Sequence, residues 1–157
     1  MTLSTSALAD LREFLCLGVS LVLVTRDERM APEITRVAAA RLGEDGLLRV
    51  ALPLPEARRT IWNLETTPAV ALSIVLPSTY RNLQVKGKDT HAVDWPGHEA
   101  IARSHADAFM EQVVSVGVAR EHADSFFSHS RYAAFAFTPL EIYDQTPGPS
   151  SGLPVTR

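Results

Sequence analysis

Apolar residues recur at two spacings along this chain, and the switches between those spacings mark its elements. From Ala7 to Cys16, Leu8, Leu11 and Leu15 fall three and four apart among Asp10, Arg12 and Glu13, which predicts an amphipathic helix that Gly18 can end. Val19 to Thr25 is a short run of Val and Leu suited to a buried strand. A polar turn follows at Arg26 to Arg29. The small and β-branched stretch from Ile34 to Leu42 predicts a second strand, and Gly43-Glu44-Asp45-Gly46 forms a tight connection into a third over Leu47 to Leu52. These three strands are expected to form a meander.

Pro53 and Pro55 bracket the start of a second helix, Glu56 to Glu65, which carries Ala57, Ile61 and Leu64 at helical spacing. Val70 to Leu76 predicts a strand and Pro77-Ser78-Thr79 a turn. Tyr80 to Ala92 is then a long strand, with Leu83, Val85 and Gly87 on one face and Asn82, Gln84, Lys86 and Lys88 on the other. Helices are predicted over Gly97 to Val114 and Glu121 to Ser128, and a closing strand over Ala133 to Tyr143. We therefore expect one domain over residues 1–144, followed by a Pro/Gly/Ser-rich tail over 145–157. Strands outnumber helices and hairpin-like connections dominate, so the fold class is α+β with an antiparallel sheet closed as a barrel. A doubly wound parallel sheet fits less well.

Composition narrows the function classes. The 157 residues bury enough surface to fold without staples, and a single cysteine, Cys16, excludes an intrachain disulfide. There is no cysteine and histidine spacing of the zinc-finger type. Fifteen Lys and Arg against 18 Asp and Glu give a net charge of −3, which argues against a general nucleic-acid binder. With no basic leader and no apolar run near the ~20 residues that span a bilayer, we expect no membrane partner and a cytoplasmic location. GxGxxG, Walker A and GxSxG motifs are absent, which removes the motif-level case for Rossmann, P-loop and α/β-hydrolase chemistry.

Any anion site must therefore be local, and the arginines show where. Seven lie between Arg26 and Arg59 with no lysine among them. Arg58 and Arg59 sit in the first turn of a predicted helix, where the macrodipole disfavours cations by roughly 0.3 to 1 kcal/mol each. Bound phosphate would offset that; solvation or pairing with Glu56 and nearby carboxylates would also do so. Arg36 and Arg41 frame Val37-Ala38-Ala39-Ala40, small residues that let a flat ligand approach the backbone. Strict alternation puts these two arginines on opposite faces unless a bulge intervenes. Gln84 and Lys86 supply amide and ammonium groups on the polar face of the long strand; an ordinary amphipathic strand would carry the same pattern.

The order of these stretches resembles the FMN-binding split-barrel superfamily related to pyridoxamine 5'-phosphate oxidase, from Val19 to His91 with a weaker echo in Phe135 to Gly148. The resemblance implies an antiparallel six-stranded split β-barrel with flanking helices, paired as a homodimer with FMN at the interface. It also implies a cofactor site built from Arg36, Val37, Ala38, Ala39 and Arg41 along one strand, Arg58 and Arg59 at the FMN phosphate, and Gln84 and Lys86 near the ring or ribityl chain. Flavin-dependent redox of a small substrate, or exchange with an electron donor, is the implied activity, with no catalytic side chain assigned. The alternative is a flavin- or haem-binding protein for storage or sensing. The chain departs from authentic pyridoxamine phosphate oxidases by lacking the Arg-Arg-Leu-Xaa-Pro ending, which puts vitamin B6 oxidation in doubt. His98 and His105, like His122 and His129, are seven apart, about 10.5 Å along a helix and too far to share one metal ion. We read them as packed or surface histidines, and no metal site is expected. Trp62 and Trp95 are expected in the core or at an interface, and Cys16 buried and inert.

Overall fold

Within one predicted strand the backbone changes hydrogen-bonding partners, and that change shapes the whole sheet. The computed structural model describes residues 3–124 and 131–155. In chain order the elements are α1 (Thr5–Phe14), β1 (Ser20–Arg26), β2 (Pro32–Arg36), β3 (Ala39–Leu42), β4 (Leu48–Pro53), α2 (Arg58–Thr66), β5 (Val70–Val75), β6 (Asn82–Ala92), α3 (His98–Ser115), α4 (Arg120–Asp124), β7 (Tyr132–Asp144) and β8 (Leu153–Pro154). The sheet is antiparallel in the order β2-β1-β5-β6-β7-β4-β3, with β8 added to β7. The protein is α+β, a curled antiparallel split barrel with flanking helices. The expected count of six strands becomes eight, because the strand predicted over Ile34 to Leu42 is divided and because the tail contributes β8.

The division falls at Val37 and Ala38. The Val37 amide donates to Leu21 O in β1 at 3.0 Å, whereas the next amide, Ala38, donates to Ala51 O in β4 at 2.9 Å. Two consecutive residues thus join the opposite edges of the sheet order. Alternation is interrupted as well: Val37 and Ala40 pack into the barrel core, while Ala38 and Ala39 together face a second cluster with Ala51 and Ala102. An extra residue between two inward positions is the signature of a bulge. Its effect is to return Arg36 and Arg41 to one side of the sheet, beside His105 of α3.

The core follows from the apolar pattern. β1 alternates half-buried and buried positions, placing Leu21 and Leu23 inside with Leu48, Leu52, Leu72, Ile74, Phe137 and Ile142. Helix α1 starts two residues earlier than predicted, because the Ser4 hydroxyl accepts from the Ala7 amide as its N-cap. It adds Leu11 and Phe14 to the core, and Arg12 ties it to the Leu42 and Gly43 carbonyls. Cys16, expected to be buried, is exposed, since the helix has ended at Phe14 and the thiol faces outward. β6 begins at Asn82 rather than Tyr80, because Tyr80 has φ 59° and its amide closes the preceding turn onto Leu76 O. The segment after β7 folds back on its own chain: Gly152 and Val155 amides donate to Asp144 and Ile142 carbonyls, and Val155 packs against the core. Residues 125 to 128 of the helix predicted over Glu121 to Ser128, and His129, lie outside the described residues. No described helix is long and apolar enough to cross a membrane.

Helix α3 docks through two close contacts. Gly18, at φ +70°, approaches Ala108 so nearly that an added Cβ would sit 2.4 Å from the Ala108 carbonyl carbon and oxygen. His105 is buried and its Nε2 donates to Val19 O at 2.8 Å. Burial first, and then the nearby Arg41 charge, push its pKa from 6.5 to about 4 against the opposing pull of the Val19 carbonyl. The folded state therefore prefers neutral His105, so its contribution is fully present above pH 6.5 and is lost as pH falls toward 4. Between pH 7 and pH 4, urea unfolding should show a loss of about 2 to 4 kcal/mol from this residue. His105→Gln, which keeps a donor for Val19, should flatten that slope. Gly18→Ala combines an unfavourable left-handed φ with overpacking and should cost roughly 2 to 5 kcal/mol in the same assay at pH 7.

Candidate functional site

Helix α2 begins where the sequence places two arginines, and the end of β4 aims it. The Ala57 amide donates to Pro53 O at 3.1 Å and the Arg58 amide to Pro55 O at 3.3 Å, so the helix starts one short turn beyond the strand. Its N-cap is Ala57, which offers no side-chain acceptor, and no acidic residue stands in the first turn. The first turn itself thus supplies neither a capping acceptor nor an acidic side chain to the positive end of the helix. Arg59 is pulled toward the β1–β2 turn, 3.7 Å from Asp27 Oδ2 and 3.5 Å from Glu33 Oε2. These are long contacts on a side chain 58% exposed, worth well under 1 kcal/mol. Arg58 is exposed and makes no ion pair among the described residues.

The inner face of α2 is held by polar bonds. Thr60 and Thr35 share a buried hydroxyl contact, and Asn63 Nδ2 donates to Thr25 Oγ1 at 3.1 Å. These two bonds fix the helix along β1 and β2. Because Thr35 precedes Arg36, the first turn of α2 lies beside the strand end that carries Arg36.

The sheet's other sequence-flagged residues fall into cross-strand rows on its outer face. One row reads Arg36, Val22, Ser73, Gln84 and Tyr143 across β2, β1, β5, β6 and β7. The next reads Ile34, Val24, Ala71, Lys86 and Glu141. Arg36 and Gln84 are three strand steps apart, about 14 Å. The Gln84 amide has no hydrogen-bond partner among the described residues, and Lys86 Nζ lies 4.6 Å from the centre of the Tyr143 ring. A cavity of about 450 Å³ opens beside Lys86, between β1, the β1–β2 turn and the segment from Ala69 to Ala71.

The remaining predicted residues are differently engaged. Arg41 Nη1 donates to Leu15 O at 3.2 Å and to Ala40 O at 2.9 Å, so its guanidinium caps the end of α1. Val37 points into the core, and Ala38 and Ala39 are covered by α3 with Ile101, Trp95 and Tyr132 around them. Arg36, His105 and Phe109 line a common void of about 10 Å³. His98 Nδ1 meets Trp95 O at 2.8 Å and stacks near the Trp95 ring, so it too is engaged within the fold. Among the described residues, no three His, Cys, Asp or Glu side chains converge as a metal site. Trp95 packs as expected, but Trp62 is 64% exposed on α2, one turn from Arg58. Arg26, at the end of the apolar strand β1, also lines the 450 Å³ cavity.

No protein-family model matches the sequence, and no curated protein matches it either. Solved structures match its fold. The protein HupZ of Group A Streptococcus aligns with a TM-score of 0.55 at 12% identity, over 92% of this chain and 98% of that one. An FMN-binding protein from Syntrophomonas wolfei aligns with a TM-score of 0.54 at 15% identity, over 97% of this chain and 88% of that one. An F420 reductase aligns with a TM-score of 0.52 at 18% identity, over 83% and 94%. At these identities the likeness is one of architecture: the chain resembles the FMN-binding split barrels in fold.

Proposed function

We propose that this protein binds FMN and works in flavin-dependent redox of a small substrate or in electron transfer, as a homodimer in the cytoplasm. The observation that carries the reading is the start of α2, where the N-cap Ala57 offers no side-chain acceptor, the first turn holds no acidic residue, and Arg58 makes no ion pair among the described residues. A terminal phosphate fits it: the amides donate in line with the helix dipole, and a guanidinium adds a paired set of donors. Arg59 joins by leaving its long contacts with Asp27 and Glu33. Arg36, at the strand end beside this corner, and Gln84 and Lys86 on the same sheet face are the donors for the ribityl chain and ring. In this reading the Val37 to Ala39 segment contributes its backbone, while Arg41 keeps α1 in place.

Bound flavin supplies the hydride or electron transfer itself. The chain's part is to orient it and to set its charge environment. Gln84 can donate to or accept from a pyrimidine edge, and a cation nearby favours a reduced, anionic ring. Resemblance to a family whose flavin site lies between two barrels supports pairing. The FMN-binding protein and the F420 reductase with the same fold support a flavin-type ligand.

Calorimetry of FMN against riboflavin tests the phosphate assignment. FMN should bind at least tenfold more tightly, and Arg58→Ala should remove about 1.5 to 3 kcal/mol of that binding while leaving riboflavin unchanged. Equal affinities for the two flavins would refute the site. Bleaching of the bound flavin by a reduced nicotinamide would then separate an oxidoreductase from a carrier.

A further inference from the structure

The 450 Å³ cavity has a floor, a wall and two cations, and the FMN reading uses only one of its residues. Its floor is the cross-strand row Val24, Ala71 and Lys86, in register on β1, β5 and β6. Ala71 is the shortest side chain of that row, so the floor dips between its neighbours. Met30 and Pro32 of the β1–β2 turn form the wall. Arg26, two residues beyond Val24 on the same face of β1, stands at one side and Lys86 at the other.

Neither cation has a carboxylate partner among the described residues. Arg26 makes no ion pair among the described residues, because the adjacent Asp27 is occupied by the Arg29 and Ala31 amides and by Arg59. Glu141 stands opposite Lys86 in register, and no ion pair joins the two among the described residues. A space of this size falls in the range of small-molecule sites, and an apolar floor flanked by two cations selects an apolar anion.

We propose that this cavity is a binding site for a small apolar carboxylic acid, its hydrocarbon on Val24 and Ala71 and its carboxylate between Arg26 and Lys86. Opposite charge gives orientation, and the sheet face gives the burial. The site stands apart from the phosphate corner of α2 and does not need flavin to be present.

The probe is 2-naphthoate at pH 7 and low salt, with the neutral 2-naphthamide as its isostere, both titrated by calorimetry into the full chain. The acid should bind at least tenfold more tightly than the amide. Arg26→Gln and Lys86→Gln should each weaken the acid about tenfold and leave the amide unchanged. Ala71→Leu fills the dip and should abolish both, with an unaltered melting temperature showing that the barrel is intact. FMN titrated into Arg26→Gln should bind as it does to the parent, so a failed flavin assignment and a failed acid site give different results. Equal affinity for acid and amide, no binding of either, or undiminished binding to the Arg26→Gln and Lys86→Gln double variant would overturn the proposal.

Discussion

The peptide between Val37 and Ala38 is the constraint on which the rest of the structure depends. An open antiparallel sheet presents two unpaired edges, each a liability in water. Here consecutive amides donate to β1 and to β4, so the chain itself carries the sheet from one edge to the other. Closure of this kind requires a local change of direction, and small residues permit it. A larger side chain at Ala38 or Ala39 would have to fit beneath Ala102 and Trp95, whereas two methyl groups let α3 settle on the broken strand. The same break turns Arg36 and Arg41 to one side, so a structural device also decides which charges share a neighbourhood.

Much of this was legible beforehand because burial follows the apolar periodicity. The Val and Leu run of β1, the heptad-like spacing of α1 and the alternation of β6 each identify an element whose inward face can be checked residue by residue. The division of the Ile34 to Leu42 stretch was not legible, since its cause is non-local: the partners of Val37 and Ala38 lie on strands sixteen residues before and thirteen after. Cys16 was misplaced for a related reason. Its neighbours Leu15 and Leu17 suggested continued helix, but the turn into Gly18 ends the periodicity first and directs the thiol outward.

The candidate site was legible in its residue types and less so in its grouping. Adjacent arginines at a helix start are visible in any sequence, and the structure adds that one of the two leans on Asp27 and Glu33 while the other makes no ion pair among the described residues. Gln84 and Arg36 are forty-eight residues apart in the chain, and only the register of β2, β1, β5 and β6 puts them in one row. Arg41, five residues from Arg36 and so on the opposite face by strict alternation, is brought to the same side by the break at Val37 and Ala38, and its guanidinium donates to the carbonyls of Leu15 and Ala40.

A protein with a net charge of −3 can still hold anions if its cations are released from its carboxylates in particular places. Three of the seven arginines between Arg26 and Arg59 are engaged by acids or backbone oxygens: Arg49 by Asp45 at 2.6 Å, Arg59 by two acids, Arg41 by backbone carbonyls. Arg26 and Arg58 have no carboxylate among the described residues, and each stands where the surroundings make an unpaired cation useful. At Arg58 the helix dipole adds to the positive field, which favours a small, highly charged group such as phosphate. At Arg26 the surroundings are apolar strand and turn, which favours a ligand that brings its own hydrocarbon. The distinction between the two corners is therefore one of dielectric and dipole as much as of charge, and it separates the ligands they select.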